Sequence, residues 1–524
     1  MNYPIRPTEQ FRIAKNLFSH ITSLTTSNRI AEQRFYSTLQ FFLLISVCIF
    51  SVMLRIPFLE VPFITDEGGA AYAATFWPSH QMLYKDINYD RFQGFFLIYK
   101  AILFIFGSSV SSIRLGMAVY NVGTVISVIV LTGRFGNKNT ALLAGLLFSI
   151  FSISPSIEGF TANSEMFAIL PITLSALMLW DKRWGLSGIL AGVAVMFKPI
   201  GISALLLIVM WGLFQRSPMR KLGTAFLGFL LFPIISAIHG FIIDWQSYWD
   251  TFVTYRFMAF SLFSQEQSSQ LTKLYGSLKH CGAIILFLII PSVPCIFGYR
   301  HPVKMFFLFW AITSVFGMAL GGEWHWHYFV QIIPQLCVTC ALGLVELKKK
   351  AVQWHVAILL CTLLNAGLCY TTDFHFFFKK PNEISWLMYH RPEYLVSGKI
   401  AKYILESTSP GDTIYVAFGQ ADLYYQSHRL AAVPQQLYWK QIEQNKDLWL
   451  KVLKSIQNQE PALVVWVQRV PHWGRDGSFH KAINEGYQLE RELPFLALYR
   501  NKKYKSMRRS TETNTLQRKS QPDY

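Results

Sequence analysis

Long apolar runs separated by short polar segments dominate the chain and set the first expectation about its fold. Eleven of them fall at about 41–59, 113–133, 139–157, 164–180, 186–197, 200–214, 222–243, 281–299, 303–321, 328–345 and 353–371. A helix needs about 20 residues to cross a hydrocarbon core of about 30 Å, and most of these runs approach that length. The pattern predicts a polytopic α-helical membrane protein with about eleven spans. A further apolar run, GFFLIYKAILFIFG at 94–107, makes only about 21 Å of helix. With Lys100 in its middle, it is expected to lie along the outer interface without crossing. The runs at 186–197 and 200–214 are also short and are broken at Lys198-Pro199. They fit either two spans or one kinked hairpin, so roughly nine to thirteen spans stay open.

Past about residue 373 the long runs give way to shorter alternations. Residues 393–406, 420–427 and 439–457 read as helices, and DTIYVAF at 412–418 and LVVWV at 463–467 read as buried strands. LPFLALY at 493–499 is a third strand candidate. This order predicts a small α/β domain. The layout is therefore an N-terminal arm (1–40), a membrane domain (41–372) with a long first outer loop (60–112), an α/β domain (373–500) and a polar, basic tail (501–524) expected to be disordered.

Charge fixes the expected orientation. Of the 524 residues only 15% are charged, against about 25% in a soluble domain. The formal charge of +18 is spread over the arm and short loops: Arg134/Lys138, Lys182/Arg183, Arg216/Arg220/Lys221, Arg300/Lys304 and Lys348–Lys350. With the N-terminus inside, all of these loops are cytoplasmic, and residues 373–524 lie outside. The chain is then a multi-pass protein of the cell membrane. The basic tail falls on the outer side, which is tolerable because long domains translocate largely regardless of charge. No basic stripe or nucleic-acid motif is present, so the charge reports topology and no nucleic-acid partner is expected. All seven cysteines lie in apolar segments; Cys337-x-x-Cys340 sits inside a span and reads as packing thiols. No cleavable signal peptide is evident, so the first run is expected to be a retained anchor.

Candidate chemistry clusters in the outer loops. ITDEGGAAYAA places Asp66 and Glu67 just after the first span, and Asp86, Asp90, Arg91 and Gln93 follow. Acids near water need no special role, but apolar and aromatic surroundings can raise a carboxylate toward a useful base. SIEGFTANSEMF brings Glu158, Asn163 and Glu165 together, although an acid in a first helical turn, such as Glu165, is also favoured by the helix dipole. Lys198 is an intramembrane cation, functional by default unless it snorkels to the interface. GGEWHWHYFVQIIPQ places Glu323, His325, His327, Tyr328 and Gln331 at the start of the tenth run. An H-x-H with a nearby Glu can hold a metal, and an aromatic belt is equally natural there. No cofactor is implied, and a divalent metal is left open. Every polar cluster lies on one side, which argues for an outward-facing site. A pump would need polar groups near mid-span, and no repeated halves are visible.

Several stretches together resemble the polytopic glycosyltransferases of the GT-C superfamily, in particular bacterial relatives of protein O-mannosyltransferases and the lipid A aminoarabinose transferase. They are TDEGGAAYAA, FGSSVSSIRLGMAVYNVGTV, GRFGNKNTALLAGLLFSIFSISP with ANSEMFAIL, GILAGVAVMFKPIG, HWHYFVQIIPQLCV and SPGDTIYVAFGQADLYYQSHRLA. They run in order through most of residues 41–470. The resemblance implies transfer of a sugar from a polyprenyl-phosphate carrier to a glycan, lipid or protein acceptor, with inversion at the anomeric carbon. It matches Asp66 to the catalytic acid, with Glu67 beside it, and Glu165 to the acid of the second loop. Lys198 and Arg114 match cationic positions, and Arg91 and His327 join them as candidate ligands of the donor phosphate. Where relatives often carry Pro-Pro or His-Pro, this chain reads Asp90-Arg91-Phe92-Gln93. A lipid-linked-sugar flippase or a polysaccharide polymerase are the alternatives.

Overall fold

The computed structural model describes residues 38–254, 267–298, 301–320, 322–347, 352–417, 419–434, 446–467 and 478–504. The expectations for the arm before residue 38, the Lys348–Lys350 loop and the tail after residue 504 lie outside these residues.

The membrane part is a helical bundle. Its helices are α1 (Thr38–Phe58), α2 (Thr65–Phe76), α3 (Gln93–Phe106), α4 (Val110–Thr132), α5 (Lys138–Phe151), α6 (Ser164–Trp180) and α7 (Trp184–Phe197). They continue as α8 (Ile202–Phe214), α9 (Met219–Trp249), α10 (Gln267–Gly298), α11 (His301–Ala319), α12 (Ile333–Leu347) and α13 (Val352–Thr372). Seven stretches are long and apolar enough to cross a membrane: α1, α4, α9, α10, α11, α12 with the turn before it, and α13. Large apolar side chains such as Phe42, Leu227, Phe241 and Leu364 point out of this bundle, as helices facing lipid require.

The other four predicted spans are the short apolar helices α5, α6, α7 and α8. The run expected as a span over 139–157 stops being helical at Phe151, because residues 152–163 unwind into a wholly buried loop. Irregular backbone at membrane depth is tolerated only where protein buries it. Gly159 shows how tightly this one is packed: a Cβ there would lie 1.9 Å from the Ser152 carbonyl oxygen. A second break, Lys198–Gly201, separates α7 from α8, and a 3-10 turn at Trp326–Ile332 leads into α12. These unwound segments build the site described below.

The apolar run at 94–107 is one amphipathic helix, α3, which buries Phe95, Phe96, Tyr99 and Ile102 and leaves Phe104 and Ile105 exposed. Lys100 Nζ donates to the Trp77 carbonyl and lies 5.4 Å from the Trp77 ring. Helix α9 runs well beyond the predicted 222–243 and is kinked at Asp244, and α10 starts earlier than the predicted 281.

Residues beyond 373 form the small α/β unit. After α14 (Pro381–Tyr389) and α15 (Pro392–Ser407) come β1 (Thr413–Ala417), α16 (Asp422–Ser427), β2 (Leu430–Ala431) and α17 (Lys446–Gln459). Then follow β3 (Leu463–Val467), α18 (Ser478–Gly486), β4 (Tyr487–Leu493) and β5 (Leu496–Asn501). The sheet order is β2-β1-β3-β5-β4. Strands β1, β2 and β3 are parallel (Ile414 opposite Leu463 and Ala431), and β5 is antiparallel to both β3 and β4. The three predicted strands are all present; β2 and β4 were not foreseen. Strand β3 reads LVVWV because both its faces are buried, whereas YQLEREL in β4 is an edge strand with mostly exposed side chains.

Candidate active site

The small unit sits on α2. A Cβ at Gly68 would lie 2.3 Å from Asp422 Cα, so only glycine lets α16 lie this close to α2. Tyr72 Oη accepts from the Ala431 N–H at 2.9 Å and donates to Gln81 Oε1 at 2.5 Å, which ties β2 to the first loop.

The two acids that open α2 face different worlds. Glu67 is 0% exposed and bound bidentate to Arg114, with Nε to Oε1 at 3.0 Å and Nη2 to Oε2 at 2.6 Å; the Ala162 N–H adds a bond of 2.8 Å. Arg114 also donates to the carbonyls of Phe58, Val61 and Pro62. All five N–H donors of a guanidinium are thereby used. Arg114 has nothing left for a phosphate, which corrects its expected place among the donor ligands: it fastens α1, α2 and α4 together. Asp66, the residue before Glu67, is exposed, and no hydrogen bond of its carboxylate is found among the described residues. Its backbone carbonyl accepts from Tyr89 Oη at 3.2 Å, which holds the first turn of α2 to the loop before α3.

A second group of charges gathers on the unwound segments. Glu165 pairs with Lys198, accepts from Ser164 Oγ at 3.1 Å and lies 3.3 Å from His327 Nε2. The other imidazole nitrogen, Nδ1, is 3.6 Å from Glu158. His327 therefore lies between two carboxylates, within hydrogen-bond distance of Glu165 and farther from Glu158. Glu158 also accepts from Trp326 Nε1 at 3.0 Å and from Asn163 Nδ2 at 3.1 Å. Burial pushes the Glu158 carboxyl up, against the pull of His327 and the Trp326 N–H. The Lys198 ammonium lies 4.0 Å from the centre of the Tyr328 ring. Arg91 donates to Ser164 Oγ at 3.2 Å and pairs with Asp90. The Asp66 charge bears on both Glu158 and Lys198.

Of the predicted residues, Asp66, Glu165, Lys198, Arg91 and His327 come together here, and Glu67 and Arg114 form the buried strut beneath. Sequence reasoning passed over two groups. Trp326 lay in a motif read as an aromatic belt. Asp373, 0% exposed, binds Ser154 and accepts from the Ser156 N–H at 3.0 Å, so it clamps the buried loop. Its position directly after the last apolar run was the available signal. Among the described residues no group of three or more His, Cys, Asp or Glu is arranged to hold a metal ion.

No protein-family model and no curated protein sequence matches the chain. Solved structures do. ArnT from Cupriavidus metallidurans bound to undecaprenyl phosphate superposes with a TM-score of 0.55 at 12% identity, covering 87% of this chain and 97% of its own. The apo state of ArnT gives 0.54 at 14% identity, covering 88% and 98%. AglB, the oligosaccharyltransferase of Archaeoglobus fulgidus, gives 0.48 at 13% identity, covering 90% and 75%. The chain has the GT-C fold.

Proposed function

We propose that this chain is a membrane glycosyltransferase that moves a sugar from a polyprenyl-phosphate carrier to an acceptor hydroxyl. One observation carries the reading: Asp66 is an exposed carboxylate with no hydrogen-bonded partner among the described residues, and its charge reaches Lys198, which gathers with Arg91 and His327 around Glu165 and Ser164 in a GT-C fold. The structure of ArnT with undecaprenyl phosphate adds support for a lipid-phosphate ligand.

The chemistry follows from these groups. Asp66 takes the acceptor's hydroxyl proton as the oxygen attacks the anomeric carbon. The bond from that carbon to the phosphate oxygen breaks, and polyprenyl phosphate leaves with the electron pair. Lys198, Arg91 and His327 offset the charge gained by the phosphate. Attack opposite the leaving group inverts the anomeric configuration. Glu165, held by Lys198 and His327, orients these cations and does not act as a second base.

The test is Asp66→Asn in purified protein, which keeps size and hydrogen bonding but removes the base. Transfer should fall by about 10²-fold or more while the protein still binds lipid-linked sugar. Near-full transfer would show that Asp66 is not the base. Mass spectrometry of envelope glycans and lipids with and without the gene identifies donor and acceptor.

A further inference from the structure

The small sheet has an edge that this reaction scheme leaves unused. Strands β2, β1 and β3 lie side by side and parallel, with β1 in the middle. The chain leaves β1 for β2 on one side and then returns to β3 on the other, so the winding reverses between β1 and β3. In open parallel sheets, ligands settle beyond the carboxyl ends of the strands at such a reversal. That edge carries Ala417, Ala431 and Val467, and at Ala431 and Pro434 it meets α2 and the first loop of the membrane domain. Its hydrogen bonds there include those of the Ala431 N–H to Tyr72 and of the Asn88 N–H to the Pro434 carbonyl, both 2.9 Å, and that of Gln81 Nε2 to the Ala431 carbonyl at 3.5 Å.

Two side chains at this edge hold polar atoms that no described neighbour satisfies. Gln420 follows the turn at Gly419 directly after β1 and is 2% exposed; neither its amide nitrogen nor its amide oxygen has a partner. Asp422 is 0% exposed; one oxygen accepts from Gln426 at 3.1 Å, and the other has none. A buried polar atom left unpaired costs about 1–3 kcal/mol, so three of them within three residues mark a place for a polar guest. Asp422 is also close to the reaction centre. Tyr394 lies within electrostatic reach of both Asp422 and Asp66, and its hydroxyl shares a 3.3 Å hydrogen bond with Thr65.

The donor set identifies the guest. A carboxamide and a carboxyl group match hydroxyls, which both donate and accept. A phosphate or carboxylate guest would need cations. Arg391, a described cation beside Tyr394, is engaged with Glu393 at 3.8 Å and with the Tyr394 ring at 5.7 Å.

We propose that the junction between the carboxyl edge of β1 and the first turn of α2 is the acceptor site, where Gln420 and Asp422 hold hydroxyls of a carbohydrate acceptor so that one meets Asp66. The role in transfer rests on the glycosyltransferase reading; the binding site does not.

The experiment uses the full chain in nanodiscs, with methyl glycosides as the probe in saturation-transfer NMR. The wild type should transfer saturation to the glycoside ring protons. Gln420→Ala and Asp422→Ala should abolish that signal without changing affinity for a polyprenyl phosphate, and Asp66→Asn should keep the signal. In the transfer assay, Gln420→Ala should raise the acceptor KM about tenfold, a loss of about 1.4 kcal/mol, with little change in kcat. No glycoside signal from the wild type, or equal signals from the wild type and Gln420→Ala, overturns the proposal. So does binding of a serine-containing peptide in place of glycosides. If Asp422→Ala fails to fold, Gln420→Ala, whose side chain takes no part in the Gly68 contact, decides alone. Glycoside binding by a wild-type protein that moves no sugar from any polyprenyl-phosphate donor sinks the transfer reading and leaves the site standing.

Discussion

Asp66 and Glu67 are adjacent in the chain, yet one is an exposed acid and the other a buried strut. The division follows from helical geometry: neighbours on a helix point about 100° apart, so a first turn lying on a bundle buries one and frees the other. The pair Glu67–Arg114 is fully desolvated, and breaking such a pair by removing one partner costs about 3–5 kcal/mol. Glu67→Ala should therefore lower the thermal midpoint in nanodiscs markedly, because Arg114 is left as an uncompensated buried cation. The molecules that remain folded should still bind lipid-linked sugar. A variant as stable as the wild type would remove Glu67 from the strut. That the two acids stood beside the membrane was legible in ITDEGG. Which of them faces the site was not, because the answer depends on Arg114, which lies 47 residues away. The same limit applied to Arg114 itself: a lone arginine opening a helix looks available until its carbonyl partners are known.

Among the elements, α2 and α16 are the pair on which the site's roof depends. Gly68→Ala places a methyl group where the Asp422 backbone already lies, and backbone cannot yield as a flexible side-chain end would. The expected result is faster hydrogen exchange across Asp422–Ser427 with the membrane helices unaffected. A second prediction concerns pH. Burial raises the Asp422 carboxyl from its ordinary 3.8 to about 7. A carboxyl whose folded value lies above its unfolded one contributes stability that is full below the unfolded value. That contribution is lost as pH rises through the folded value. Docking of α16 should therefore weaken as pH rises from about 4 to about 7 and level off above that, seen as a falling thermal midpoint, and Asp422→Asn should flatten that slope. At this scale the helices were legible because apolar runs announce them, and DTIYVAF and LVVWV announced β1 and β3 as buried strands. The carboxyl end of α5 was not, because the apolar residues of FSISPSI carry its run past Phe151 to Pro155, which cannot continue the helix, whereas α6 begins and ends with its run at 164–180. Strand β4 was missed for the opposite reason: an edge strand reading YQLEREL carries no apolar run.

At the scale of the whole molecule, sidedness reduces to a single question. The small unit packs on α2 through Gly68 and on the first loop through Tyr72 and Asn88, and α2 carries Asp66. The side that holds the sheet is then the side on which Asp66 opens. Basic loops at Arg134/Lys138 and Lys182/Arg183 lie at the far ends of α4 and α6, and the positive-inside rule puts them in the cytoplasm. Lys402 on α15 has a side chain 75% exposed, and Lys138 at the start of α5 is also exposed. Single cysteines at these two positions report opposite sides, in a background with Cys361, which is exposed, and Cys48, which is half-buried, replaced by serine. A membrane-impermeant maleimide added to intact cells should modify Lys402→Cys at once and reach Lys138→Cys only after the membrane is opened. Labelling in the reverse order would put the sheet, Asp66 and the acceptor junction on the cytoplasmic side together, since the contacts between α2 and α16 do not allow them to be separated.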